Sequence, residues 1–133
     1  MVTSPESILS DQQSNGLTRS DELAQHGMDL LASGDVSGAA RAFREAIAAD
    51  PAHVEAHHGL IRALCDAEQF EAAVAAANEL TALTPQDPLA HTSLSILYQQ
   101  QGKVPEAEAA ALRAKLLGWK QQLRQEPAVE GKK

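Results

Sequence analysis

Three stretches of this chain line up at one fixed spacing. Ser33-Gly34-Asp35-Val36-Ser37-Gly38-Ala39-Ala40 lies over Ala67-Glu68-Gln69-Phe70-Glu71-Ala72-Ala73-Val74, and both lie over Gln101-Gly102-Lys103-Val104-Pro105-Glu106-Ala107-Glu108. The offset is 34 residues both times. It also links Leu30, Leu64 and Tyr98, then Ala39, Ala73 and Ala107, then Pro51 and Pro85. Three units follow, at 20–53, 54–87 and 88–121 of the 133 residues. A period of this length marks a repeat architecture, in which one unit cannot bury its own apolar face and stability comes from stacking on neighbours.

Each unit reads as two helices. In the third, Leu89, Ala90, Ser93, Leu94, Leu97 and Tyr98 fall on three/four spacing, an amphipathic helical stripe. Gly102 ends that helix, because glycine accepts the left-handed conformation just past a helix C-terminus. Pro105 opens the next helix, where no backbone N–H is needed. Ala107, Ala110, Ala111 and Ala114 share a side of that second helix and let a neighbour come close. Asp50-Pro51 and Asp87-Pro88 read as N-cap and first-turn proline pairs. Composition agrees: alanine, the best helix former, fills 25 positions, and aromatics are only 3%, too few for a typical strand-built core.

The pattern resembles the tetratricopeptide repeat, a 34-residue helical pair. The first unit carries Leu23, Gly27, Leu30, Ala39, Phe43, Ala46 and Pro51; the second Leu60, Leu64, Ala73, Ala77 and Pro85; the third Leu94, Tyr98, Ala107, Ala111 and Ala114. Departures from the family pattern are Leu23, His57 and His91 at its early tryptophan-like position, Ile61 at its small-residue position and Trp119 for its last proline. The resemblance implies an all-α fold: a right-handed superhelical solenoid of three helix pairs with a concave inner face. Leu116, Leu117, Trp119 and Leu123 run on past the third unit, so a capping helix is expected at 119–126, entered by a turn at Gly118, apolar inward and polar outward. Residues 1–19 are expected to be a disordered N-terminal tail and 127–133 a loose C-terminal one.

Charge narrows the partners. Residues 1–102 hold four Lys/Arg against fourteen Asp/Glu, and residues 103–133 hold seven against four. An acidic body repels phosphate backbones, so nucleic acid is not an expected partner. No stretch approaches the ~18 apolar residues of a membrane span, and the N-terminus lacks the basic start and apolar run of a signal peptide. The expected location is cytoplasmic.

The chain carries no phosphate-binding loop and no nucleophile elbow, so it is not expected to be an enzyme, and no cofactor is implied. The single cysteine, Cys65, excludes an internal disulfide and a four-thiolate zinc site. His58 lies seven residues before Cys65, so the two can share a helix face; they centre an alternative reading as a metal- or small-ligand-binding protein. A metal site needs three or four ligands, and the favoured reading of His57 and His91 is packing with a satisfied ring nitrogen.

The resemblance implies an inner face lined by Ala24, Met28, Leu31, His58, Arg62, Cys65, Leu89, Thr92, Ile96 and Gln99. Clustered apolar side chains such as Met28, Leu31 and Ile96 on an open face mark an interaction site. Family members that clamp the acidic tails of heat-shock chaperones use cationic and amide side chains there. The matching places hold Ala24, Met28, Gly59, Leu89 and Ser93, which cannot grip a carboxylate. The expected function is an adaptor or assembly factor holding a segment of a partner polypeptide in a concave groove. A small three-repeat chaperone of the secretion type is the other family alternative.

Overall fold

The computed structural model describes residues 18–125. They form six helices: α1 (Arg19–Ala32), α2 (Val36–Ala49), α3 (Val54–Asp66), α4 (Phe70–Leu83), α5 (Pro88–Gln100) and α6 (Val104–Gln125). There is no strand among the described residues, and the fold is all-α. The chain divides into two compact units between Ala67 and Glu68.

Local chemistry sets the helix ends at the repeat spacing. After α1, Gly34 has φ 94° and after α5 Gly102 has φ 75°. Around them Asp35 N–H reaches Leu30 O at 2.9 Å and Lys103 N–H reaches Tyr98 O at 2.8 Å, which closes both helices with the same left-handed motif. The equivalent residue after α3 is Glu68, with φ 61°. Asp35 caps α2 through Gly38 N–H at 3.0 Å, and Asp87 caps α5 through Leu89 N–H at 3.0 Å, with Pro88 in the first turn.

Asp50-Pro51 departs from the expected cap. Asp50 closes α2 instead, and His53 caps α3. The cause is register: Asp87 lies 37 residues after Asp50, whereas 34 places Pro51 with Pro85 and His53 with Asp87. Thr18 and Arg19, expected in the tail, are the N-cap and first residue of α1. The remainder of both expected tails, 1–17 and 127–133, lies outside the described residues.

In the first unit α1 packs on α2, α2 on α3, and α1 touches α3. Phe43 of α2 is fully buried and presses on two glycines. A Cβ at Gly27 of α1 would stand 2.8 Å from its ring, and one at Gly59 of α3 would collide with it more severely. Ser20 Oγ, also buried, donates to Ala46 O at 2.9 Å and ties α1 to α2. In the second unit α4 packs on α5 and α5 on α6, around the fully buried Leu80 and Leu97. Ser95 Oγ donates to Ala107 O at 2.9 Å and ties α5 to α6, at a different point of the repeat from the Ser20 bond.

The separate capping helix is not formed. α6 continues without a break from Val104 to Gln125, and Gly118 lies inside it. Glycine lowers helix stability only by roughly 0.5–1 kcal/mol, which good helix formers on either side offset. Of the apolar residues expected to turn inward there, Leu117 is buried, while Leu116, Trp119 and Leu123 are exposed.

Candidate binding site

The expected lining divides between the units, with Met28, Leu31, His58, Arg62 and Cys65 in the first and Leu89, Thr92, Ile96 and Gln99 in the second. In the first unit, α1 and α3 form the walls of an open cavity of about 540 Å³. Ala24, Met28 and Leu31 line it from α1, His58 and Arg62 from α3, and Phe43 from α2 beneath. Helical spacing explains the walls: residues three and four apart share a face, which gathers Ala24, Met28 and Leu31 on one side and His58 and Arg62 on the other. Cys65, one turn further along α3, is half-buried and lies off the cavity.

The mouth of the cavity is organised by a polar chain that the sequence reading did not include. Thr18 and Asp21 form a capping box: Thr18 Oγ1 accepts from Asp21 N–H, and Asp21 Oδ2 accepts from Thr18 N–H, both at 3.1 Å. Asp21 Oδ1 lies 2.8 Å from His53 Nε2. His53 Nδ1 accepts the Ala56 N–H at 3.1 Å, so this nitrogen is unprotonated and Nε2–H donates to Asp21. The Thr18 backbone N–H, then the His53 ring, hold the Asp21 carboxyl below its ordinary value. One aspartate thus fastens the start of α1 to the start of α3. Thr18-x-x-Asp21 matches the capping-box pattern and was legible; the link to His53 is tertiary and was not.

Met28 is 50% exposed, and Arg62 is exposed. Among the described residues Arg62 makes no hydrogen bond or ion pair, with Glu55 and Asp66 included. Its guanidinium therefore stands ready for an external acceptor beside an apolar wall. Asp21, Gln25, His53 and Glu55 also line the cavity, giving it acceptors as well as a cation.

The second unit has a smaller recess of about 310 Å³ between α5 and α6, lined by Thr92, Ser95, Ile96, Ala111, Ala114 and Lys115. Thr92 and Ile96 come together there. Leu89 and Gln99 are exposed on α5 but do not line it. The Thr92 hydroxyl donates to Pro88 O at 3.0 Å, within its own helix.

Histidines 57 and 91 perform one packing task at equivalent repeat positions. His57, 4% exposed, donates from Nε2 to Pro51 O at 2.8 Å, and His91 does so to Pro85 O at 3.3 Å. His57 Nδ1 is buried without a partner among the described residues. Among the described residues no three His, Cys, Asp or Glu side chains gather as a metal-ligand set. Burial, and then the charge of Asp66, push the Cys65 thiol up, away from the thiolate that a nucleophile needs.

A family profile described as tetratricopeptide repeat matches residues 30–97. No curated protein matches the chain. Among solved structures, MamA is similar at 19% identity and a TM-score of 0.76, over 79% of this chain and 61% of that one. The chain thus spans less than two thirds of MamA's length. The Yersinia enterocolitica type III secretion translocator chaperone SycD is similar at 18% identity and a TM-score of 0.71, over 84% of this chain and 81% of that one. The second repeat domain of Spaghetti (RPAP3), bound to the HSP90 peptide SRMEEVD, is similar at 19% identity and a TM-score of 0.70, over 81% and 98%. At identities this low, the likeness shows the fold alone.

Proposed function

The chain belongs to the tetratricopeptide repeat family, and on that premise we propose that it is an adaptor or assembly factor that holds a segment of a partner polypeptide. The observation that carries this reading is the first-unit cavity, where half-exposed Met28 and Leu31 stand beside Arg62, whose cation is unpaired among the described residues. Apolar anchors beside a few placed polar groups are what a peptide segment needs for affinity and register. Arginine suits the polar role, because its planar fork makes two parallel hydrogen bonds to a carboxylate. Thr92 and Ile96 form a second, smaller contact area on the other unit.

The peptide chemistry of the RPAP3 complex is not carried over, since Ala24, Met28, Gly59, Leu89 and Ser93 offer no cation to a peptide carboxylate. The likeness to SycD, which covers most of both chains, favours a second version in which the partner is a protein awaiting secretion.

A displayed peptide library selected on the intact protein tests the reading. Central interface anchors typically lose ~2 kcal/mol or more on truncation. Arg62→Ala and, separately, Met28→Asp should therefore weaken a selected peptide at least about tenfold, since ~1.4 kcal/mol is one decade, with helical content retained. If both folded variants bind like the parent, the cavity is not the binding site.

A further inference from the structure

α6 is apolar on two faces. Ala107, Ala110 and Leu117 are buried on one. Leu112, Leu116, Trp119 and Leu123, spaced four, three and four apart, fall about half a turn away at ~100° per residue. They are 56%, 48%, 55% and 75% exposed. From Leu112 to Gln125 the helix also carries Arg113, Lys115, Lys120 and Arg124 and no carboxylate. The Lys115 ammonium sits 5.5 Å from the centre of the Trp119 ring.

We propose that this ridge docks on an anionic lipid surface. Large apolar side chains with tryptophan on one face, flanked by Lys and Arg, are the makeup of a helix that lies in a membrane interface. The leucines and Trp119 enter the headgroup boundary, and the flanking cations meet lipid phosphates and carboxylates. As far as Leu117 the opposite face of α6 is already packed, so a partner groove that wraps a helix from several sides has no access to that stretch, whereas a plane needs one face alone.

A second copy of the chain fits less well. An antiparallel pairing that sets Leu112 against Leu123 and Leu116 against Trp119 brings Arg113 of one copy against Lys120 of the other. A parallel pairing sets each cation beside its own counterpart. Like charges opposed in this way are repulsive. No spanning segment is involved: none of the helices among the described residues is long and apolar enough to cross a membrane.

Trp119 is the chain's one tryptophan, so its fluorescence reports the centre of the ridge. With the full chain, vesicles of phosphatidylcholine mixed with phosphatidylserine should shift its emission to the blue, and vesicles of phosphatidylcholine alone should not. Lys120→Glu combined with Arg124→Glu should weaken binding to the mixed vesicles at least about tenfold, with helical content unchanged by circular dichroism. No shift with either vesicle, or equal shifts with both, would overturn the proposal. So would charge-reversed protein that binds like the parent. A blue shift that grows with protein concentration in the absence of vesicles would assign the ridge to a second copy instead.

Discussion

The ring of Phe43 occupies the space that a side chain at Gly59 would need. Phe43 is fully buried and is held between α1 and α3, so it cannot swing aside at low cost. The contact explains how α2 closes on both neighbours: it works only because Gly27 and Gly59, each sixteen positions from Phe43, carry no side chain.

Gly59→Ala should therefore lower stability although alanine is the better helix former. Overpacking costs typically ~1–3 kcal/mol, against a propensity gain of at most about 1 kcal/mol. Gly118→Ala should do the opposite, raising stability by ~0.5–1 kcal/mol, because Gly118 is interior to α6 and none of the described residues stands within 4 Å of the added Cβ. Thermal melts of the two variants should move in opposite directions, and a rise for Gly59→Ala would contradict the Phe43 contact.

Glu68 sits at the repeat position that Gly34 and Gly102 occupy, with a left-handed φ of 61°. The left-handed conformation costs a residue bearing a Cβ roughly 1–2 kcal/mol, partly offset in the variant by the greater freedom of glycine when unfolded. Glu68→Gly should raise the urea midpoint by an amount equivalent to about 1 kcal/mol, and Gly102→Ala should lower it by a similar amount. A midpoint unmoved by Glu68→Gly would mean that the turn holds no strain.

Much of this architecture was legible because it repeats. Gly34, Ala39 and Leu64 announce turns and packing positions by spacing, and Ala39, Ala73 and Ala107 are each buried. Met28, Leu31, His58 and Arg62, which the family resemblance implies for the inner face, reach one cavity. What escaped depends on tertiary partners. His53 caps a helix only because Asp21, 32 residues away, fixes its ring. Gly59 is constrained by Phe43 on another helix, which no helical periodicity records. Gly118 carries the usual mark of a turn, yet the residues around it favour helix strongly enough to run through it.

The Asp21–His53 link predicts an acid-sensitive fold. The ordinary value for Asp21 is 3.8, and the folded state lowers it through the Thr18 N–H and His53. A carboxyl whose folded pKa is depressed adds stability that is fully present above its unfolded pKa and lost as pH falls through the folded one. Asp21→Asn should thus have a lower urea midpoint than the parent at neutral pH. The two midpoints should converge as pH falls below about 4, the unfolded carboxylate range. A gap that stays constant down to the acid limit would show that the aspartate's charge contributes nothing.

The two faces of α6 can be separated by one substitution made twice. Ala107 is 1% exposed, donates its N–H to Lys103 O at 2.9 Å and accepts the Ser95 hydroxyl on its carbonyl. Ala109, two residues on, is exposed, as expected for positions about 200° apart around a helix. Arginine and alanine differ little in helix propensity, so Ala109→Arg should leave the melting midpoint within the equivalent of ~0.5 kcal/mol. At Ala107 the same side chain has no space and its charge has no partner. Overpacking there adds to the penalty of an unpaired buried cation, a sum that consumes a large part of the ~5–15 kcal/mol that stabilises a domain. Ala107→Arg should lose its cooperative melt or drop by many degrees. Equal midpoints for the two variants would mean that α6 does not present Ala107 to α5 and Leu112, Leu116, Trp119 and Leu123 to the outside.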